Sequence, residues 1–170
     1  SFSSMKITLA TPENLYAIME MYTSCVEGML DLEIDQWDEH YPNRKIIEQD
    51  LKDSCYYIGV LDNEIVAGMR IDKIQDPTYL SINWADKSNN FMVVHRLGLK
   101  TKVWNRGIGK QMMVFAEKLA KESGCSSFRL DTYSHNPKAI EFYKKLGYKQ
   151  LGHIHLKPEK DIYYCFEKVF

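Results

Sequence analysis

The stretch Trp104-Asn105-Arg106-Gly107-Ile108-Gly109-Lys110 constrains this chain more than any other. An apolar run, Phe91 to Leu99, precedes it and predicts a strand. Ile108 to Lys121 follows, with Ile108, Met112, Phe115, Ala116 and Leu119 at helical spacing, and predicts an amphipathic helix. Glycines at a strand-to-helix junction let backbone come close to a ligand. The helix start adds N–H groups without intrahelical partners and a partial positive charge. Such a junction is an anion site, of the kind that takes phosphate.

Two nucleotide readings fail at named positions. A Walker A loop ends in Gly-Lys followed by Ser or Thr and opens on a glycine five residues earlier. Gly109-Lys110 fits the end, but Trp104 stands at the first glycine and Gln111 at the magnesium-binding hydroxyl. A dinucleotide fingerprint needs a third glycine where this chain has Met112. A net charge of −1 argues against nucleic-acid binding through bulk electrostatics. No apolar run approaches the ~20 residues of a membrane span. The 4 cysteines, Cys25, Cys55, Cys125 and Cys165, form no CxxC pair, which predicts reduced thiols in a cytoplasmic protein. Ser1-Phe2-Ser3-Ser4 lacks the charge and apolar pattern of a signal peptide. It reads as a remnant of expression or a disordered start, with a single domain over 5–170.

The predicted order of elements is β-α-α-β-β-β-α-β-α-β-β. Lys6–Ala10 is a strand, and Thr11-Pro12 supplies an N-cap and first helical residue for the helix that carries Leu15, Ile18, Met19, Tyr22, Val26 and Met29. A short helix starts near Asn43, with Ile46, Ile47 and Leu51 inward. Tyr56–Leu61 and Glu64–Asp72 are strands joined by a tight Asp62-Asn63 turn. Gln75–Asn90 reads as a loop. Phe128–Tyr133 is a strand, Asn136-Pro137 opens a helix that Gly147 closes, and Tyr148–Leu156 and Ile162–Phe170 are the last two strands. Three strands in a row before the glycine turn exclude a regular Rossmann alternation and predict a mixed α/β sheet with helices on both faces.

Leu97-Gly98-Leu99 leading into Trp104-Asn105-Arg106-Gly107-Ile108-Gly109, and about thirty residues later Asn136-Pro137-Lys138-Ala139-Ile140-Glu141-Phe142-Tyr143-Lys144-Lys145-Leu146-Gly147-Tyr148, together resemble the Gcn5-related N-acetyltransferase (GNAT) superfamily. The resemblance covers Val93 to Gly152 directly. It implies a mostly antiparallel twisted sheet of about six or seven strands, splayed after the fourth, near Leu99. It implies acetyl-CoA as cosubstrate and direct acyl transfer to an amine in a ternary complex, without a metal. A non-catalytic acyl-CoA-binding or regulatory module on the same fold is the alternative.

By resemblance, Asn105, Arg106, Gly107, Ile108, Gly109 and Lys110 cradle the pyrophosphate, and Leu97, Gly98 and Leu99 pair their backbone with the pantetheine arm. A bulge there would aim an N–H at the thioester carbonyl, while the Leu97 and Leu99 side chains belong to the core. Lys100 and Lys102 make the turn more basic or merely solvate the surface. Trp104 replaces the family's usual Gln or Arg. Asn136 caps its helix and contacts the cofactor arm. Tyr143 is the general acid for the departing thiolate, with Phe142 the better core residue. Asp131 is the first choice of general base.

Glu27 to Asn43 carries six carboxylates and no Lys or Arg. In a fold of this kind that segment borders the acceptor pocket. Glu33 and Asp35 would attract a cationic amine there, with Trp37, Tyr41 and Trp84 as aromatic walls. The acceptor is then a small amine or polyamine, or a peptide amine. His153 and His155 share a strand face but lack a third ligand, so no metal site is expected. The last strand is free to pair within one chain or between two, leaving monomer and homodimer open.

Overall fold

The computed structural model describes residues 5–170; the expected remnant at 1–4 lies outside the described residues. The strands are β1 (Lys6–Leu9), β2 (Tyr56–Leu61), β3 (Glu64–Asp72), β4 (Phe91–Leu99), β5 (Ser127–Tyr133), β6 (Lys149–Ile154) and β7 (Tyr163–Val169). The helices are α1 (Leu15–Asp31), α2 (Arg44–Lys52), α3 (Ile108–Glu122) and α4 (Pro137–Lys145). Their order along the chain is the expected one. The mixed sheet runs β1-β2-β3-β4-β5-β7-β6. The β1–β2, β2–β3, β5–β7 and β6–β7 ladders are antiparallel and β4–β5 is parallel.

One compact unit comprises the described residues up to Ile71 together with His95–Ala116. Its core packs Ile18, Met21, Tyr22 and Cys25 of α1 on Ile47 and Leu51 of α2 and on Tyr56 and Ile58 of β2. Burying side chains of this size contributes about 1.5–3 kcal/mol each. Asn43 caps α2 by accepting the Ile46 N–H at 2.9 Å. Asp62 and Asn63 both take positive φ, 51° and 62°, as a two-residue hairpin turn requires. Pro12–Asn14 forms a separate 3-10 turn, so α1 starts at Leu15 rather than beside Thr11. The Thr11 N–H is taken by the Asn14 side chain at 2.9 Å.

The second unit comprises Asp72–Val94 and Glu117–Phe170. Here β7 lies between β5 and β6 and pairs with β5 along its whole length, from Ser127↔Val169 to Tyr133↔Tyr163. The last strand is therefore an interior strand of its own chain. The parallel β4–β5 ladder pairs Phe91–Val93 with Ser127–Arg129. It ends inside β4, earlier than the expected separation near Leu99. Both faces of β5 are largely covered, so its charged residues must find partners. Arg129 is buried, with its guanidinium 4.3 Å from the Trp84 ring centroid and 4.0 Å from that of Phe91. The segment expected as a loop contains a 3-10 turn, Pro77–Ser81, opened by Asp76 accepting the Thr78 N–H at 2.9 Å.

Candidate functional site

Asn105 and Gly107 take left-handed backbone, φ 61° and 78°. The Gln111 N–H bonds the Gly107 carbonyl at 3.1 Å, which makes Gly107 the entry to α3. The N–H groups of Ile108, Gly109 and Lys110 then fall in the helix's first turn, where none has an intrahelical partner. A Cβ on Gly107 would meet nothing within 4 Å, so the space before the helix is open. Asn105, Arg106 and Lys110 are exposed. This geometry fits a phosphate group.

Trp104 does not face that space in place of a Gln or Arg. Its indole N–H donates to the Leu99 carbonyl at 3.1 Å, and its backbone N–H donates to Thr101 at 3.0 Å. Its ring lies against α1 at Gly28, where an added Cβ would stand 2.9 Å from the ring and 2.1 Å from the Thr101 methyl. The Thr101 N–H and hydroxyl both meet the Ser24 hydroxyl, at 3.1 and 3.2 Å. Position 104 thus fastens the turn to α1. Lys100 and Lys102 are tied to Glu64, Lys100 at 2.9 Å and Lys102 at 2.5 Å. Glu64 offsets one of these two charges, and Lys102 stays exposed beside the outward Arg106 and Lys110.

In β4, Leu97 and Leu99 are half-buried rather than core residues, while Gly98 is buried. A Cβ at Gly98 would stand 2.7 Å from the Tyr22 ring. Arg96 has φ 45°, a left-handed residue inside a strand. This irregularity lies just before Leu97–Leu99, the stretch in which a bulge is expected from the resemblance.

In the second unit Asn136 caps α4 by accepting the Ala139 N–H at 3.0 Å. Asn136 and Tyr143 lie two turns apart on one face, and both are buried. Phe142, expected in the core, is only half-buried, because one step along the helix turns it away from that face. The Tyr143 ring packs against Tyr148 and Phe166, with centroids 5.9 and 6.1 Å away. Burial, and then the negative charge of Asp131, raise the Tyr143 phenol above its ordinary value. It stays protonated at neutral pH. Asp131 accepts a hydrogen bond from the Tyr79 hydroxyl. Tyr79 was not anticipated, although Asp76-Pro77 is a recognisable cap-and-start pair for the turn that carries it.

The family described as Acetyltransferase (GNAT) matches residues 15–148, the span that holds the glycine turn, Asp131 and Tyr143. The chain belongs to the GNAT family. A curated relative from Lactobacillus delbrueckii subsp. lactis, described as an uncharacterized N-acetyltransferase in the pepI 3′ region, is 28% identical over 94 residues, 55% of this chain and 51% of the relative. The matched stretch thus spans about half the length of that relative. A GNAT-family acetyltransferase structure from Streptococcus agalactiae matches with a TM-score of 0.83 at 23% identity, over 100% of this chain and 98% of that one. The PaiA N-acetyltransferase of Thermoplasma acidophilum, solved with coenzyme A, matches with a TM-score of 0.73 at 18% identity, over 98% of this chain and 99% of that one. At these identities the structural likeness speaks for the fold.

Other residues of this GNAT chain divide between surface and core. Glu33 and Asp35 are exposed, with Glu33 at φ 60°. Trp37 is buried and meets Tyr22 edge-on at 5.6 Å. Tyr41 is half-buried. Trp84 is buried in the second unit, where its indole N–H donates to the Tyr79 carbonyl at 2.9 Å, so it packs Arg129 and Tyr79 rather than offering an open wall. Glu27 lines an open groove of about 640 Å³ along α1, together with Tyr16, Glu20, Glu64, Lys100 and Lys102.

His153 and His155 are exposed and meet edge to face at 6.3 Å. No group of three or more His, Cys, Asp or Glu arranged for a metal occurs among the described residues. His95 is half-buried. All four cysteines are free of disulfides. Burial pushes the Cys25 thiol up to about 11, against a hydrogen bond from the Leu99 backbone. Burial and then the Asp131 charge push Cys165 up to about 12. Both stay as thiols and make poor nucleophiles at neutral pH. No helix among the described residues is long and apolar enough to cross a membrane.

Proposed function

We propose that this chain is an acetyl-CoA-dependent N-acyltransferase, moving an acetyl group to a primary amine by direct attack in a ternary complex. The observation that carries the reading is the open, left-handed Gly107 entry to α3, lying inside the GNAT match over residues 15–148. Acetyl-CoA supplies the acyl group already activated as a thioester. The first-turn N–H groups of α3, with Arg106 and Lys110, hold its pyrophosphate. The Leu97–Leu99 backbone aligns the arm, and an N–H after the Arg96 kink stabilises charge developing on the carbonyl oxygen. Asn136 keeps its capping role and touches the arm.

The amine nitrogen bonds to the carbonyl carbon as the carbon–sulfur bond breaks. Tyr143 gives its phenolic proton to the departing sulfur. Asp131, with one oxygen oriented by Tyr79, receives the amine's proton directly or through water. Tyr143 and Asp131 suit these opposite tasks because burial, and then the carboxylate's charge, hold the phenol in its protonated form. Glu33 and Asp35 draw in a cationic amine, and Tyr41, from the same acidic segment, adds an aromatic wall.

Thermal-shift and calorimetric titration with acetyl-CoA, followed by thiol release over a panel of amines, tests the reading. Binding with turnover on one amine class is the expected result. Stabilisation by acetyl-CoA without thiol release on any amine points instead to the non-catalytic acyl-CoA-binding module. A shift with ATP or NAD and none with acetyl-CoA ends both. For the acceptor, the pair Glu33→Gln, Asp35→Asn should raise KM for a dicationic amine at least about threefold, with kcat unchanged and less effect at high salt. An unchanged KM for every active amine removes the recruiting role.

A further inference from the structure

Arg96 is a charged, β-carbon-bearing residue held at φ 45° inside a strand. Residues with side chains adopt such backbone rarely, and it persists where the surroundings over-determine it. Four contacts do so here. The Tyr22 hydroxyl donates to the Arg96 carbonyl at 2.6 Å, and Tyr56 in turn donates to Tyr22 at 2.8 Å. The guanidinium grips Asp50 through two parallel bonds, Nε to Oδ2 and Nη2 to Oδ1, both 2.6 Å. Its Nη1 donates to the Tyr41 hydroxyl at 3.0 Å. Asp50 is 1% exposed and also accepts from Arg70 at 2.8 Å, and Arg70 reaches Asp53 at 2.9 Å.

We propose that Asp50 and Arg96 are positioning residues for acyl transfer. The fork between them locks the left-handed kink of β4, which orients the N–H groups of Leu97–Leu99, and through Tyr41 the same guanidinium fixes the end of the acidic segment. This rests on the acetyltransferase reading. A planar guanidinium on a carboxylate fixes direction as well as distance, which a lysine ammonium does not. Ion pairs this deep are weak contributors to net stability because desolvation offsets their attraction. Their geometry is the better reason for placing one on a strained strand residue.

The experiment compares Arg96→Ala, Arg96→Gly and Arg96→Lys, each checked for folding by circular dichroism below its melting transition. Acetyl-CoA labelled with carbon-13 at the carbonyl is bound to each. Infrared spectroscopy then reads the carbonyl stretch, and kcat is measured with the best amine. In Arg96→Ala the stretch returns toward that of free acetyl-CoA and kcat falls on the order of 10²-fold, the size of losing one oxyanion donor. Affinity for acetyl-CoA changes by less than about threefold, a result a merely structural role does not give when kcat collapses. Glycine takes positive φ without strain, so Arg96→Gly recovers at least about tenfold of the kcat lost in Arg96→Ala. Arg96→Lys does not. If Arg96→Ala fails to fold, a faster Arg96→Gly than Arg96→Lys supports the proposal and the reverse overturns it. Equal rates and equal stretches in the alanine and glycine variants, or an alanine variant as fast as the unaltered chain, also overturn it. Failure of the unaltered chain to bind acetyl-CoA removes the acetyltransferase reading and this proposal together, whereas binding without the spectral difference removes the proposal alone.

Discussion

Replacing Tyr143 with phenylalanine should lower kcat on the order of 10²-fold or more, the usual share of a positioned general acid, and leave acetyl-CoA affinity nearly unchanged. The ring supplies the packing: it sits among Tyr148, Phe166 and Phe142, and phenylalanine keeps that volume. What is lost is the phenolic proton. Burial and the Asp131 charge raise the phenol's pKa, so the group remains an acid up to and beyond its ordinary value of about 10. The unaltered enzyme should therefore show no loss of kcat from phenol ionisation as pH rises from 7 to 10. A rate that falls well below pH 10 with the phenol's signature, or a Tyr143→Phe variant of normal kcat, removes Tyr143 as the acid. Asp131→Asn separates the two groups: it takes away the base and also the charge that raises the phenol. Steady-state rates across pH for both variants, with calorimetric Kd values beside them, make the distinction.

What could be read from the chain beforehand is mostly local. Asn43 and Asn136 announce helix starts because their side chains compete for backbone N–H groups. Asp62-Asn63 announces a turn because both residues tolerate positive φ, and Gly124 and Gly147 announce helix ends for the same reason. Gly107 combines that property with the helix start behind it. Long-range pairings gave no such signal. Nothing in Phe91–Leu99 marks Arg96 as left-handed, since the run has the composition of an ordinary strand. Asp50 offered a hint: it lies four residues after Ile46 and three after Ile47, on α2's inner face, where a charge requires a partner. Its partners Arg70 and Arg96 come from distant strands, beyond the reach of spacing. Lys100 and Lys102 looked like part of a basic turn because Glu64, which binds both, is remote in sequence.

Trp104, read as a departure from the family's pattern, has its explanation at Gly28. Gly28 lies in the last turn of α1, and glycine inside a helix is unfavourable by at most about 0.8–1.0 kcal/mol relative to alanine. Gly28→Ala should nonetheless destabilise, because the new methyl would stand 2.1 Å from the Thr101 Cγ2 and 2.9 Å from the Trp104 ring. Overpacking of that kind costs about 1–3 kcal/mol, which exceeds the helix gain over most of its range. A net loss of 1 kcal/mol lowers the melting temperature by roughly 2–4 °C in a chain of this size. Because Thr101 and Trp104 open the glycine turn, acetyl-CoA affinity should also fall about tenfold, or 1.4 kcal/mol. Thr101→Ser deletes the nearer obstacle and keeps a hydroxyl for Ser24. Alone it should be nearly silent. Combined with Gly28→Ala it should recover part of both losses, the Trp104 contact accounting for the remainder. Melting temperatures and calorimetric Kd values for the two single variants and the double complete the cycle. Additive effects, or a more stable Gly28→Ala, show that the turn is not braced against α1 through these two side chains. Strong coupling in stability without any change in affinity shows a brace that does not reach the cofactor site.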